Sequence, residues 1–261
     1  MSPTHLALID DLAAEVAALD AVIAALDDSG WMTPTPAPGW RVADQVIHLI
    51  VFDERCKWGI ADPDRFARDL EHVRSEGGFA SVERNLLSLS PRHLRQQWID
   101  GAAELREAGR NADPKARCPW YGPSMSATSM LTARLMETWA HGYDICDAVG
   151  VVPVATDRLR HVAHIGVSAR PFAYAANRLT MPDVAVRVEL RGPSGDLWTW
   201  GPESEDTVRG DALGFCLAAT QRRHVDDCGL EITGSNAREW MSIIQAFAGP
   251  PGEGRRPGQF G

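Results

Sequence analysis

Four stretches of this chain repeat apolar residues at the 3.6-residue period of an α-helix, and near residue 184 the period changes to two. That switch confines the fold to a helical domain followed by a mixed one, the α+β class. Residues 6–26 form the first helical run, rich in Ala, Leu and Asp and ended by Asp27-Asp28-Ser29-Gly30. Residues 31–39 contain three prolines and read as a loop that delivers Trp40 to the start of the second helix, Trp40-Arg41-Val42-Ala43-Asp44 onward. Residues 61–78 are more polar and read as irregular. Pro91 suits the first turn of a third helix reaching about residue 108, and a fourth spans residues 125–149 with Gly150 and Pro153 as its stop. Four long helices joined by loops predict a bundle, and residues 157–179 add a fifth helix that closes it.

Beyond that point Val184, Val186, Val188 and Leu190 alternate with Ala185, Arg187, Glu189 and Arg191, the pattern of a half-buried strand. Gly192-Pro193-Ser194-Gly195 and a second strand at 197–200 complete a hairpin. With no helix immediately after it, this turn is not a phosphate loop. Residues 206–223 return to helical spacing, 230–233 offer another strand, and 236–247 read as a final helix capped by Asn236. The expected domains are 1–180, a helical bundle, and 181–261, a small α+β module. Its Gly/Pro/Arg tail, 249–261, is expected to be extended, mobile or draped over another surface.

At 261 residues and 44% hydrophobic content the chain can bury the cores of two modest domains. A net charge of -9 argues against nucleic acid or an anionic membrane surface as partner and favours a small molecule. Met1-Ser2-Pro3-Thr4-His5 lacks the features of a secretory signal and no stretch is apolar enough to span a bilayer, so a soluble cytoplasmic protein is expected. Five scattered cysteines with no C-x-x-C pair indicate neither a disulfide framework nor a cysteine-rich zinc site; most are expected to be buried thiols. Lysine occurs only as Lys57 and Lys115, so basic charge rests on arginine, whose planar fork suits carboxylates.

The chemistry concentrates in Glu137-Thr138-Trp139-Ala140-His141, where a carboxylate and an imidazole one helical turn apart can point at one metal ion. His48, interrupting an apolar helix face, supplies a third ligand or is a satisfied core histidine. Three ligands on two helices leave a coordination position open. Two imidazoles and one carboxylate favour zinc among divalent ions, with nickel and iron as alternatives. Asp144, three residues after His141, either holds its second ring nitrogen or pairs elsewhere, and Asp44, one turn before His48, invites the same two readings. Trp40 and Trp139 wall the pocket or belong to the core. His161 and His164 read as structural or surface residues.

The segment from Gly39 through Leu49, G-W-R-V-A-D-Q-V-I-H-L, followed by Glu137-Thr138-Trp139-Ala140-His141-Gly142-Tyr143-Asp144, resembles the DinB-like metalloproteins, specifically their mycothiol-dependent maleylpyruvate isomerase branch. The likeness covers roughly the first two thirds of the chain. It implies a DinB-like bundle whose divalent metal, typically zinc, is held by His48, Glu137 and His141. It also implies mycothiol as the low-molecular-weight thiol: its sulfur, made a thiolate at the metal, adds to an electron-poor cis double bond, and rotation and elimination give the trans isomer. Thr220-Gln221-Arg222-Arg223-His224 and the segment from Gln245 to Gly252 resemble an actinobacterial subgroup known only as metal-binding. By the same resemblance Arg222 or Arg223 orients an anionic substrate; the alternative is a solvated arginine favoured by a helix end. The expected function is thus a metal- and thiol-dependent isomerase or S-transferase acting on a small electrophilic, carboxylated molecule. Hydrolysis by metal-activated water and simple ligand sequestration remain open. The second domain closes over the bundle or joins a homodimer.

Overall fold

A computed structural model describes residues 3–75, 78 and 80–260. The chain divides into two compact units, Met1–Pro153 and Val154–Gly261. In the first, helices α1 (Pro3–Ile23), α2 (Asp28–Trp31), α3 (Val42–Ala61), α4 (Pro63–Ser75), α5 (Ala80–Leu87) and α6 (Pro91–Asn111) precede a two-stranded antiparallel ribbon, β1 (Arg117–Cys118) and β2 (Met125–Ser126), and then α7 (Ala127–Val149). The long helices α1, α3, α6 and α7 pack on one another as a bundle. Leu8, Leu12, Val46, Leu49, Trp98, Leu105, Leu131 and Leu135 fill its core. Helix α7, which carries half the chemistry, is pinned at both ends. Ser126 accepts a hydrogen bond from the Ser129 N–H at its start, and Gly150 ends it at φ 70°, a left-handed conformation that favours glycine.

Over residues 61–78 the sequence predicts irregular chain, and there the structure has α4, with α5 following it. In α4 only Phe66 and Val73 are buried, seven residues apart on one face, so the apolar stripe is too thin to stand out against its charged neighbours. Residues 76 and 77, at the end of that expected irregular segment, lie outside the described residues, as do Met1 and Ser2 of the expected leaderless terminus and Gly261 of the tail.

The second unit contains α8 (Leu159–Ser168), α9 (Arg170–Ala176), β3 (Arg187–Arg191), β4 (Leu197–Trp200), β5 (Thr207–Asp211), α10 (Ala212–Ala219), β6 (Glu231–Thr233) and α11 (Ser235–Ser242). Its sheet runs β4-β3-β5-β6: β3 and β4 form the expected hairpin, β5 lies parallel to β3, and β6 closes antiparallel to β5. Val188, Leu190, Trp198 and Val208 are buried, and α10, apolar around its whole circumference, is buried with them. Among the described residues no helix is long and apolar enough to cross a membrane.

Expectations about three elements are corrected here. The helix expected over 157–179 breaks at Ala169 into α8 and α9, with Pro171 in the first turn of α9. Residues 206–223 are a strand and then a helix, because Thr207–Asp211 pairs with β3 across the intervening hairpin. The cap of α11 comes from outside its own segment: Asp206 accepts from the Ala237 N–H and from the Asn236 amide, each at 2.9 Å. The division between units also falls at Pro153, ahead of residue 180, because α8 packs on α10. Residues 249–260 form no helix or strand, end in a turn over 257–260 and lie on their own unit, with the Gly258 N–H bonded to Asp227 and Phe260 beneath the Arg223 guanidinium.

Candidate metal centre

Helix α3 presents Gln45, His48 and Phe52 on one face at spacings of three and four, and α7 presents Arg134, Glu137 and His141 at the same spacings. The packing of α3 on α7 brings these faces together. One ligand atom from each of His48, Glu137 and His141 lies within 4.8 Å of the others. His48 Nε2 is 3.4 Å and His141 Nε2 3.0 Å from Glu137 Oε2. Tetrahedral ligands about 2.0–2.2 Å from a shared zinc ion stand about 3.3–3.5 Å apart, close to the spacing between Glu137 Oε2 and each imidazole nitrogen. His48 and Glu137 each keep 20% side-chain exposure, so the centre is not sealed from solvent.

Burial works to raise the Glu137 carboxyl, but the hydrogen bonds and positive charge of His141 and His48 outweigh it and hold the group well below the usual carboxylate range. Glu137 is therefore an anion at neutral pH. A chain of hydrogen bonds orients His141: Thr35 Oγ1 donates to the Trp40 carbonyl at 2.9 Å, Gln45 Nε2 donates to Thr35 Oγ1 at 2.9 Å, and the Gln45 Oε1 so directed meets His141 Nδ1. With an ion in the centre, the Nδ1 proton held on Gln45 would leave the Nε2 lone pair free for it, in place of the proton that otherwise bonds to Glu137. This is the position for which Asp144 was a candidate. Asp44 accepts from the backbone and the guanidinium of Arg41, both at 2.8 Å, at the start of α3.

Beneath the centre Arg134 Nε donates to Asp53 Oδ1 at 2.9 Å, each side chain only 3% exposed. The pair ties α3 to α7 one turn from Glu137. Above it Trp40 stacks on His141, centroids 5.8 Å apart and planes within 13°, and lies 5.4 Å from His48. Trp139 is buried and packs on Tyr143. Phe52 approaches His48 to 4.5 Å. Gln45 and Phe52 escaped the sequence reading, although their spacing from His48 on one helix face was visible in it.

Arg222 and Arg223 belong to the second unit, on the turn that leaves α10 through Gln221 at φ 57°. Arg222 Nη1 donates to the Thr220 carbonyl at 2.6 Å and Arg223 Nη1 to the Arg222 carbonyl at 2.8 Å, where a helix end favours cations. In the same turn His224 accepts from the Asp226 N–H. His164 accepts from Trp200 Nε1 at 3.4 Å, in keeping with a structural part. Cys56, Cys118, Cys146 and Cys216 are buried and Cys228 is half-buried. Burial raises every one of these thiols, Cys146 and Cys228 to about 11.

Comparison with known proteins places this geometry in context. Residues 12–146 match the family described as the mycothiol maleylpyruvate isomerase N-terminal domain. Two uncharacterized proteins from strains of Mycobacterium tuberculosis, MT0041 and Rv0036c, are each 44% identical over 250 residues, covering 95% of this chain and 97% of their own. The crystal structure of a mycothiol-dependent maleylpyruvate isomerase superposes with a TM-score of 0.55 at 16% identity, over 87% of this chain and 92% of that one. A point mutant of that isomerase gives 0.53 at 17% identity, with the same coverage. At such identity the likeness establishes a common fold.

Proposed function

This chain belongs to the mycothiol maleylpyruvate isomerase N-terminal domain family, and from that premise we propose a metal-dependent enzyme that uses mycothiol to isomerise, or transfer sulfur to, a small electrophilic and carboxylated substrate. The observation that carries the proposal is the convergence of His48, Glu137 and His141 from two helices, with side-chain exposure left on the centre. A divalent ion held there, zinc first, would make a coordinated thiol acidic enough to ionise near neutral pH and would polarise the acceptor.

The protein's own groups do the rest. Glu137, already an anion, offsets the positive charge of the ion, and Gln45 keeps the His141 proton on Nδ1 so that Nε2 can serve as donor. Trp40 and Phe52 flank the imidazoles and limit the water around them, which strengthens electrostatic effects at the reacting sulfur. The planar fork of an arginine such as Arg222 or Arg223 suits a paired contact with a substrate carboxylate. Such thiol chemistry suits the reducing cytoplasm.

Metal analysis of the purified protein, paired with calorimetric titration of mycothiol, tests this reading. Wild type should carry one divalent ion per chain and bind the thiol. His48→Ala and His141→Ala should lose both while keeping their helix content. Stoichiometric metal in both variants would overturn the ligand assignment, and metal without thiol binding would move a hydrolase ahead.

A further inference from the structure

The residues around the centre form a continuous row of aromatic rings. It begins with Trp40 over the two imidazoles, passes through Phe52, 4.5 Å from His48, and continues to Trp120 and Tyr121, 6.3 and 6.2 Å from Phe52. Trp120 and Tyr121 come from the loop between β1 and β2, so the row joins two separate segments of chain. All four rings are half-buried and keep some accessible surface.

The far end of the row is held firmly. Phe66 of α4, fully buried, stacks on Trp120 at 5.9 Å with planes within 18° and approaches Tyr121 to 5.1 Å. Arg55, one turn beyond Phe52 on α3, is itself buried and grips Asp69 of α4 through Nε and Nη2 at 3.0 and 2.8 Å. Asp69 also accepts the Tyr121 hydroxyl at 2.9 Å, and burial together with that bond raises the phenol so that it stays a neutral donor. A buried guanidinium costs stability unless it is paired, and here the pairing also fixes a ring. With its hydroxyl turned to Asp69, Tyr121 contributes its ring to the row.

We infer that this row is the specificity wall of the centre and that the substrate carries an aryl or similarly flat apolar body beside its reactive head. The inference rests on the metal-centre reading above and deepens it. Ligand sites are commonly apolar walls with a few polar groups that fix orientation, and this arrangement has that division: polar atoms at His48, Glu137 and His141, rings beyond them. A hydroxyl-rich body laid along the rings would give up its hydration for few hydrogen bonds, whereas an aryl ring gains offset or edge contacts with each neighbour.

The test uses two probes with the same metal-seeking head, benzohydroxamate and acetohydroxamate, titrated calorimetrically into the zinc-loaded full chain. The aryl probe should bind on the order of tenfold more tightly. Trp120→Ala should abolish most of that preference while leaving acetohydroxamate binding within about twofold. Equal affinities for the two probes in wild type would overturn the inference and leave the metal reading intact. So would an aryl preference that survives Trp120→Ala, and should that variant not fold, Trp120→Leu supplies the same comparison. Failure of the protein to hold zinc, or of both probes to bind, would sink the metal reading and the inference with it.

Discussion

Gln45 has one carbonyl oxygen, and Thr35 decides where it points. Because the Gln45 amide nitrogen donates to Thr35, Oε1 is left for His141 Nδ1. Gln45→Leu should therefore lower metal affinity about 10–100-fold, the usual cost of removing a group that orients a ligating histidine. Competition with a chromophoric chelator would measure it, and Gln45→Glu, which still accepts, should recover most of the loss. His48, Glu137 and His141 were legible as a set because imidazole and carboxylate are ligand types and their helical spacing can be read directly. Gln45 was not. A neutral amide carries no such signal, and its role depends on a contact with Thr35 in a proline-rich loop ten residues away. Asp144 was the more conspicuous candidate by charge and spacing, yet the Nδ1 bond goes to Gln45.

At the scale of elements, the separation between α3 and α7 sets the separation between the ligands. The Asp53–Arg134 ion pair bridges the two helices out of solvent. Asp53→Ala would strand a buried guanidinium and should cost about 3–5 kcal/mol. Replacing both partners by apolar residues of similar volume, Asp53→Leu with Arg134→Met, should restore most of that stability in urea denaturation. If the two variants prove equally unstable, the loss lies in packing rather than in the stranded charge. The long helices were legible because their apolar period persists over many turns. Helix α4, with two buried residues, and strand β5, whose identity depends on pairing with β3 across a hairpin, have no comparable local signature. The same applies to the cap of α11. Asn236 has the right side chain, but Asp206 performs the capping from another segment while Asn236 bonds to it.

For the molecule as a whole, all three proposed ligands and Gln45 lie in the first unit. The chain between α7 and α8 has no regular structure, and Val152 and Val154 there are 88% and 86% exposed. An elastase-type protease should cut at this segment first, and the fragment ending near Pro153 should retain the metal ion, as intact-mass and metal measurements on the separated pieces would record. Loss of metal on cleavage would show that the first unit does not hold the ion unaided. A helix's period does not name its packing partner, and α8 packs on α10 within the second unit.

The cysteines bear on how such a protein can be handled at the bench. With every thiol raised by burial, a thiolate-selective alkylating label applied near neutral pH finds little in the polypeptide to modify. Label uptake that depends on added small thiol would then report on the guest alone, with the protein as a nearly silent background and no cysteine needing replacement beforehand.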